Sequence, residues 1–244
     1  MNPGKMALVI PCYNEEACIA AVLERLGKLQ SEALLVVVND ASADHTADIV
    51  RKCAEDNSRV ILLDLPVNLG IGGAVQAGFR YAIRNGCDYA IKIDGDGQHP
   101  AESIPRLLEP LFRGEADMVI GSRFLDKNGF QSTWLRRVGI GIFRILNSLL
   151  IGQTIVDNTS GFRAYNRAAL GFAAENYPSF DYPEPEEVIL MARNGFRIRE
   201  IPVEMLERQG GMSSINPRRA VYYMCKVIFA VLMAALRPAE RRKS

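Results

Sequence analysis

The residues best equipped for chemistry lie in one short stretch, Asp94-Gly95-Asp96-Gly97-Gln98. Two carboxylates flanking a glycine, with an amide oxygen two positions on, are hard donors of the kind that hold Mg²⁺ or Mn²⁺. Such ions keep water and substrate phosphate among their ligands, so one or two carboxylates suffice. The bland alternative is a polar turn, since Asp and Gly are common turn residues. What precedes the pair bears on the choice. Tyr89 to Ile93 is a largely apolar run that reads as a buried strand. Asp-Gly-Asp-Gly cannot continue through a core, so the carboxylates belong at the strand's C-terminal end. In open α/β sheets that edge is where ligands bind.

The elements before it have the same grammar. Met6 to Pro11 reads as a strand, with Asn14 as an N-cap and Glu15 and Glu16 suited to a helix N-terminus. Ile19 to Leu29 is an amphipathic helix. Leu34 to Val38 is a buried strand running into the polar loop Asn39–Thr46, then a helix through about Asp56. Val60 to Leu65 is a third strand, followed by Asn68-Leu69-Gly70-Ile71-Gly72-Gly73 opening a helix through about Asn85. A glycine-rich helix start can approach phosphate, or simply ease helix–sheet packing. The dinucleotide fingerprint fails there, because Val75 occupies the place of its third glycine. Strand, loop and helix alternate four times by residue 112, which implies a parallel sheet with right-handed crossovers. The loops Tyr13–Glu16, Asn39–Thr46 and Asp94–His99 then share one sheet edge, and that convergence favours the metal reading.

Asp117 to Gly121 is a further strand ending in Ser122-Arg123, where an arginine can offset the charge of a diphosphate. Trp134 to Gly152 reads as an amphipathic helix with Arg136, Arg137 and Arg144 on a basic face, and Asp157 to Arg163 as a polar segment. Pro185 to Asn194 is helical, Phe196 to Val203 a strand, and Glu207 to Ser214 a glycine-bearing loop. Ala220 to Leu236 is almost wholly apolar apart from Lys226. About 17 residues is the lower limit for crossing a bilayer, and a mid-span lysine is costly there. A helix lying on a membrane or docked to an apolar partner is favoured, with the basic tail Arg237–Ser244 near headgroups. A buried core helix is the alternative.

Composition sets outer bounds. The chain has 244 residues, 48% apolar and 23% charged, enough for one large α/β domain. A net charge of +1 gives no electrostatic case for nucleic acid. The five scattered cysteines, without a CxxC pair, argue against a zinc cage or a disulfide framework and fit a reducing cytoplasm. The N-terminus shows no basic region followed by an apolar one, so no signal peptide is expected.

Six motifs occur in order across residues 6 to 214: Pro11-Cys-Tyr-Asn-Glu15, Asn39-Asp-Ala-Ser-Ala-Asp44, Asn68-Leu-Gly-Ile-Gly72, Asp94-Gly-Asp-Gly-Gln98, Gly121-Ser-Arg123 and Thr159-Ser-Gly-Phe-Arg163. Together they resemble the family 2 glycosyltransferases, in the branch of dolichyl-phosphate mannosyltransferase and the bacterial polyprenyl-phosphate sugar transferases. The resemblance implies a GT-A type α/β domain over residues 1–216, with a mixed, mostly parallel central sheet flanked by helices. Residues 217–244 would form a C-terminal amphipathic, membrane-associated helix and basic tail. The implied activity is inverting, metal-dependent transfer of a sugar from a UDP- or GDP-sugar to a polyprenyl phosphate. The enzyme would be cytoplasmic and peripheral on a membrane face, or bound to a separate membrane subunit.

By the same resemblance Pro11, Tyr13 and Glu15 would border the nucleotide, Asp40 would read the base edge and Val38 would pack against the base. Gly70 and Gly95 would be backbone positions in the donor site. Asp94, Asp96 and Gln98 would hold Mg²⁺ or Mn²⁺ against the diphosphate, while Arg123 and Arg208 would face phosphate groups. The chain departs from the family pattern at Asn39, where a carboxylate is usual, and at Ser214, where the terminal motif has lysine. Two other acceptor or function classes stand beside this one. Transfer to a glycan hydroxyl would need a general base, for which Asp157, Glu186 and Glu187 are candidates. A non-catalytic nucleotide-sugar binder would keep Asp40 but have no need of the Asp94–Gln98 set. A nucleotidyltransferase would need a glycine-rich arginine loop near the N-terminus, which is absent.

Overall fold

The computed structural model describes residues 4–29, 32–125, 149–178, 183–206, 229 and 231–236. Apolar and β-branched runs make the strands of one seven-stranded sheet, ordered β3-β2-β1-β4-β6-β5-β7. The parallel half is β1 (Met6–Cys12), β2 (Leu34–Asn39), β3 (Val60–Asp64) and β4 (Tyr89–Lys92), with Val9 opposite both Val36 and Lys92. β5 (Met118–Ser122) pairs in parallel with β7 (Ile198–Pro202). Between the halves lies β6 (Arg163–Asn166), antiparallel to both β4 and β5. The mixed, mostly parallel α/β sheet expected above is therefore what the chain forms.

Alternation along the strands divides the core into two layers. Leu8, Ile10, Leu35, Val37 and Ile91 face α1 (Ile19–Leu29), α2 (Thr46–Asp56) and α4 (Ile104–Phe112), burying Val22, Leu26, Val50 and Leu107. Val9, Val36, Val38 and Tyr165 face the other way. They meet α3 (Gly70–Arg84), α5 (Arg167–Asn176) and α6 (Glu184–Arg193) through Phe79, Leu170 and Val188. α3 lies close enough that a Cβ at Gly78 would come within 2.3 Å of Val9 Cγ1, so glycine there is a packing requirement.

Two readings need correction. The segment ending at Arg163 continues into β6 and then α5, neither of which the sequence reading placed. Arg-Ala-Tyr-Asn carries a charge where a strand core wants an apolar side chain, and only a distant partner makes that burial tolerable. Asn14 does not cap α1, which begins at Ile19; its side chain instead serves the neighbouring loop, as shown below.

Residues 231–236 are helical, with Val231 and Ala234 packed on Ile189 and Leu190 of α6. Phe229, Leu232, Met233 and Leu236 are exposed on the opposite side. No described helix is long and apolar enough to cross a membrane. The 216/217 boundary, the loop 207–214 with Arg208 and Ser214, and most of the expected helices 134–152 and 220–236 lie outside the described residues.

Candidate active site

The C-terminal ends of β1, β2 and β4 bring their loops together, and hydrogen bonds lock the first two. Asn14 donates its backbone N–H to Ser42 Oγ (2.9 Å) and accepts at Oδ1 from the Ala43 N–H (2.9 Å). The Glu15 N–H donates to Thr46 Oγ1 (2.9 Å), and the Glu16 N–H to Asp44 Oδ2 (3.1 Å). The His45 N–H returns a bond to Glu16 Oε2 (3.0 Å). Asn14 adopts a left-handed φ of 56°, a conformation asparagine tolerates better than most residues. Tyr13 is left 52% exposed beside this joint, its ring open to a planar ligand.

Asp40 ties the third loop in. Its Oδ1 accepts from the Leu69 N–H at 2.6 Å, and Asn68 Nδ2 donates to its carbonyl at 3.1 Å. Burial raises the Asp40 pKa, and the Leu69 N–H works against that shift. The glycine-rich start of α3 is thus held by Asp40 and by Asn68, whose Oδ1 accepts from the Gly70 N–H at 3.0 Å. Pro11 is buried in β1 opposite Val38, and Val38 is itself fully buried, with Cγ2 3.2 Å from where a Cβ on Gly78 would stand.

The acidic turn leaves β4 next to these loops. The Ile93 N–H still bonds Val9 O (3.0 Å), after which the Asp94 N–H donates to His99 Nδ1 (3.0 Å). The Gln98 N–H closes on Asp96 Oδ1 (3.1 Å), with Gly97 in a left-handed conformation (φ 76°) that a two-carboxylate turn of this tightness needs. A Cβ on Gly95 would meet Cys12 Sγ at 2.7 Å and Pro11 O at 3.3 Å, so this glycine lets the turn press against β1. On the other side a Cβ on Gly161 would lie 3.0 Å from Asp94 Oδ2. The Leu206 N–H, two residues before Arg208, donates to Gln98 O at 2.9 Å. Three segments distant in sequence therefore meet the acidic turn, at Gly95, Asp94 and Gln98.

The donor set fits one class of ion. Among the described residues no group of three or more His, Cys, Asp or Glu side chains could hold a metal unaided. Two carboxylates and an amide oxygen are hard donors that suit Mg²⁺ or Mn²⁺ shared with substrate phosphates, and not a self-sufficient zinc cage.

Beyond Asp94 the site is built from buried charge. Arg123 grips Asp157 through Nε and Nη2, both at 2.7 Å, and Nη2 also donates to Thr159 Oγ1 at 2.7 Å. Burial works against ionisation of Asp157, yet the bonds and charge of Arg123 hold its pKa below the ordinary value. Glu200 of β7 accepts from the Val156 and Asp157 N–H groups, each at 2.8 Å, which fixes the loop that carries Asp157. One layer down, wholly buried Arg163 pairs with Glu187 of α6 at 2.8 Å. Equally buried Lys92 pairs with Glu184 at 2.5 Å. Burial disfavours the Arg163 charge, but the Glu187 carboxylate more than offsets this and raises its pKa. Lys92 precedes Asp94 by two residues on β4 and stands opposite Arg163, so this layer is the floor of the acidic turn.

Lys92 and Glu184 were not singled out from the sequence, and Arg163 and His99 entered only as the ends of the motif Thr159–Arg163 and of the loop Asp94–His99, with no role given to either. The only local signal was a charged residue inside each of two short strands, and the partners lie 24 and 92 residues away. Arg208 lies outside the described residues.

Comparison with known proteins is consistent with this geometry. The family described as Glycosyl transferase family 2 matches residues 7–172. An undecaprenyl-phosphate mannosyltransferase of Micrococcus luteus is 32% identical over 217 residues, covering 87% of this chain and 88% of that protein. A UDP-N-acetylglucosamine–dolichyl-phosphate N-acetylglucosaminyltransferase of Methanococcus voltae is 29% identical, covering 84% and 87%. Among solved structures, glucosyl-3-phosphoglycerate synthase of Mycobacterium tuberculosis, in complex with Mn²⁺, UDP-glucose and phosphoglyceric acid, superposes with a TM-score of 0.68. It is 21% identical over 97% of this chain and 81% of that one, a likeness of fold.

Proposed function

The chain belongs to glycosyl transferase family 2, and on that premise we propose that it transfers a sugar, with inversion, from a nucleotide-diphosphate sugar to a polyprenyl phosphate. One observation favours the phosphate acceptor over a hydroxyl. Of the three carboxylates that could serve as general base, Asp157 and Glu187 are engaged by Arg123 and Arg163, and Glu186 is only 3% exposed. A phosphate is already anionic at neutral pH and needs no base, whereas a sugar hydroxyl does. Relatives acting on undecaprenyl and dolichyl phosphate support the same acceptor class, and their different sugars leave the sugar open.

In this reading Tyr13, with Pro11 and Glu15, borders the nucleotide base, and Asp40 and Val38 shape the pocket floor. Gly70 and Gly95 give the donor backbone access. Asp94, Asp96 and Gln98 would hold Mg²⁺ or Mn²⁺ against the diphosphate, where the ion supplies charge stabilisation for the departing nucleotide. Arg123, its guanidinium oriented by Asp157 through Nε and Nη2, would face a phosphate, and Arg208 would supply a second cation. Inversion follows from one in-line displacement: an acceptor phosphate oxygen bonds to the anomeric carbon as the bond to the donor diphosphate breaks.

A polyprenyl chain places the acceptor at a membrane. The exposed Phe229, Leu232, Met233 and Leu236 recur at helical spacing and would lie on that surface, directly before the basic tail. Docking to a separate membrane subunit is the other form this contact would take.

The test is an extraction assay with labelled UDP- and GDP-sugars, Mn²⁺ or Mg²⁺, and a polyprenyl phosphate in detergent. Label should enter the organic phase only with both metal and lipid. Asp94→Ala and Asp96→Ala should each lower turnover by about 100- to 1,000-fold, the scale for losing one electrostatic stabiliser. Near-normal turnover in either variant sinks the metal assignment. Transfer only to a water-soluble glycan sinks the acceptor.

A further inference from the structure

We propose that Ala41 contacts the nucleoside of the donor: its methyl group, carried on a left-handed backbone, forms part of the wall that receives the base. The inference rests on the reading of this sheet edge as the nucleotide site and adds a residue to it.

Ala41 has a φ of 55°, and Asn14 is the only other non-glycine residue with a positive φ among those described. Asparagine visits that region readily because its short polar side chain bonds locally, as Asn14 does with the Ala43 N–H at 2.9 Å. Alanine has no such compensation. Its Cβ crowds the backbone there, and glycine would take the same conformation without that cost.

Nothing in the described fold offsets this strain. The half-buried alanines Ala54, Ala77 and Ala192 pack against one core layer or the other, whereas half-buried Ala41 packs against neither. Its backbone is equally unused: Ala41 forms no hydrogen bond among the described residues. The bonds are made by its neighbours. Asp40 accepts from the Leu69 N–H at 2.6 Å, and Ser42 accepts from the Asn14 N–H at 2.9 Å.

Those two ties fix where Ala41 stands. One leads to Leu69, 38% exposed, and the other to Asn14 and so to Tyr13, 52% exposed. Apolar side chains left open on two neighbouring loops suit a flat, partly apolar ligand such as a nucleobase, and Ala41 links the two ties. Backbone strain of this kind persists at ligand clamps, where it serves binding and not the fold.

The experiment compares wild type, Ala41→Gly and Ala41→Asn by calorimetric titration with UDP and with GDP in the presence of Mn²⁺, and by thermal unfolding of the free protein. Glycine and asparagine both suit a left-handed backbone, and the relieved strain exceeds the extra unfolded-state freedom of glycine. Each variant should therefore melt at or above the wild-type temperature. Affinity for the nucleotide that wild type binds more tightly should nevertheless fall. Glycine removes one methyl from the wall, worth about fourfold. Asparagine overfills it and should weaken binding about 5- to 100-fold.

An alanine without a role in binding predicts a different pattern, with sturdier variants that bind as wild type does. Wild-type affinity in either variant overturns the proposal. So does an Ala41→Gly variant that melts below wild type, since the methyl would then be serving the fold. Wild type that binds neither UDP nor GDP overturns the nucleotide-site reading itself, so the two failures are distinguishable.

Discussion

The loops after β1, β2 and β3 hold one another with single hydrogen bonds between backbone N–H groups and short polar side chains, whereas the region around β5, β6 and α6 is held by guanidinium and ammonium groups buried against carboxylates. In the first region Asn14, Ser42, Asp44 and Thr46 each take part in two or three bonds, and most of these residues touch solvent. In the second, Arg163 and Lys92 are fully buried and Asp157 nearly so. A joint of many weak bonds can be altered one bond at a time, which suits a pocket that must admit and release a nucleotide. Buried ion pairs do not necessarily add stability over apolar residues, but removing one partner strands a charge. The second region therefore behaves as a fixed frame, and it carries both Arg123 and the glycine that walls Asp94.

The sharpest way to break this comparison is Arg163→Met. It leaves Glu187 buried without its partner, and should cost about 3–5 kcal/mol in urea denaturation. Adding Glu187→Leu removes the stranded charge and should return most of that loss. A cost under about 1 kcal/mol for the single variant would mean the frame relaxes around the lost charge, and the contrast between the regions would fail.

Asp157→Asn comes next, at about 1.5–3 kcal/mol, the range for hydrogen bonds to charged groups. Its pH dependence has a definite sign. Burial opposes ionisation of Asp157, but Arg123 outweighs it and the folded-state pKa is depressed below 3.8. Such a group stabilises the fold above its unfolded pKa and loses that contribution as pH falls through the lower folded value. The stability gap between wild type and Asp157→Asn should be full at neutral pH and shrink only below about pH 3.8. A gap that closes nearer pH 6 would show that another group is responsible.

The same contrast explains what could be read from the sequence. The weakly bonded region was legible because each of its loops is contiguous: a valine-rich run, then Asn-Asp-Ala-Ser, reports strand and loop within ten residues. The acidic turn was legible for the same reason, since Asp94, Asp96 and Gln98 are neighbours. The frame was not. Arg163 and Lys92 break the apolar pattern of β6 and β4, and nothing local says that Glu187 and Glu184 will be waiting across the layer. β6 itself escaped because its four residues are short and polar at both ends. Asn14 was assigned to the nearest helix because a cap is a local idea, while its actual partner, Ala43, lies 29 residues on. His99 was read only as the end of a turn, because the ring it stacks on, Phe162, comes from the edge of another strand.

The smallest effects are expected where the comparison says the structure yields most easily, at Asn14. Two properties meet there, a side chain that accepts from Ala43 and a left-handed backbone with φ of 56°. Asn14→Gly deletes the bond but keeps the conformation, so it should cost only about 0.5–1 kcal/mol, with water replacing the lost acceptor at this exposed position. Asn14→Ala adds the strain of a Cβ in the left-handed region, about 1 kcal/mol more. Because Asn14 sits between Tyr13 and Glu15, the functional consequence should appear in the donor KM and leave kcat nearly unchanged. Parallel loss of kcat in Asn14→Gly would show that this loop is coupled to the acidic turn, and that the two regions move as one.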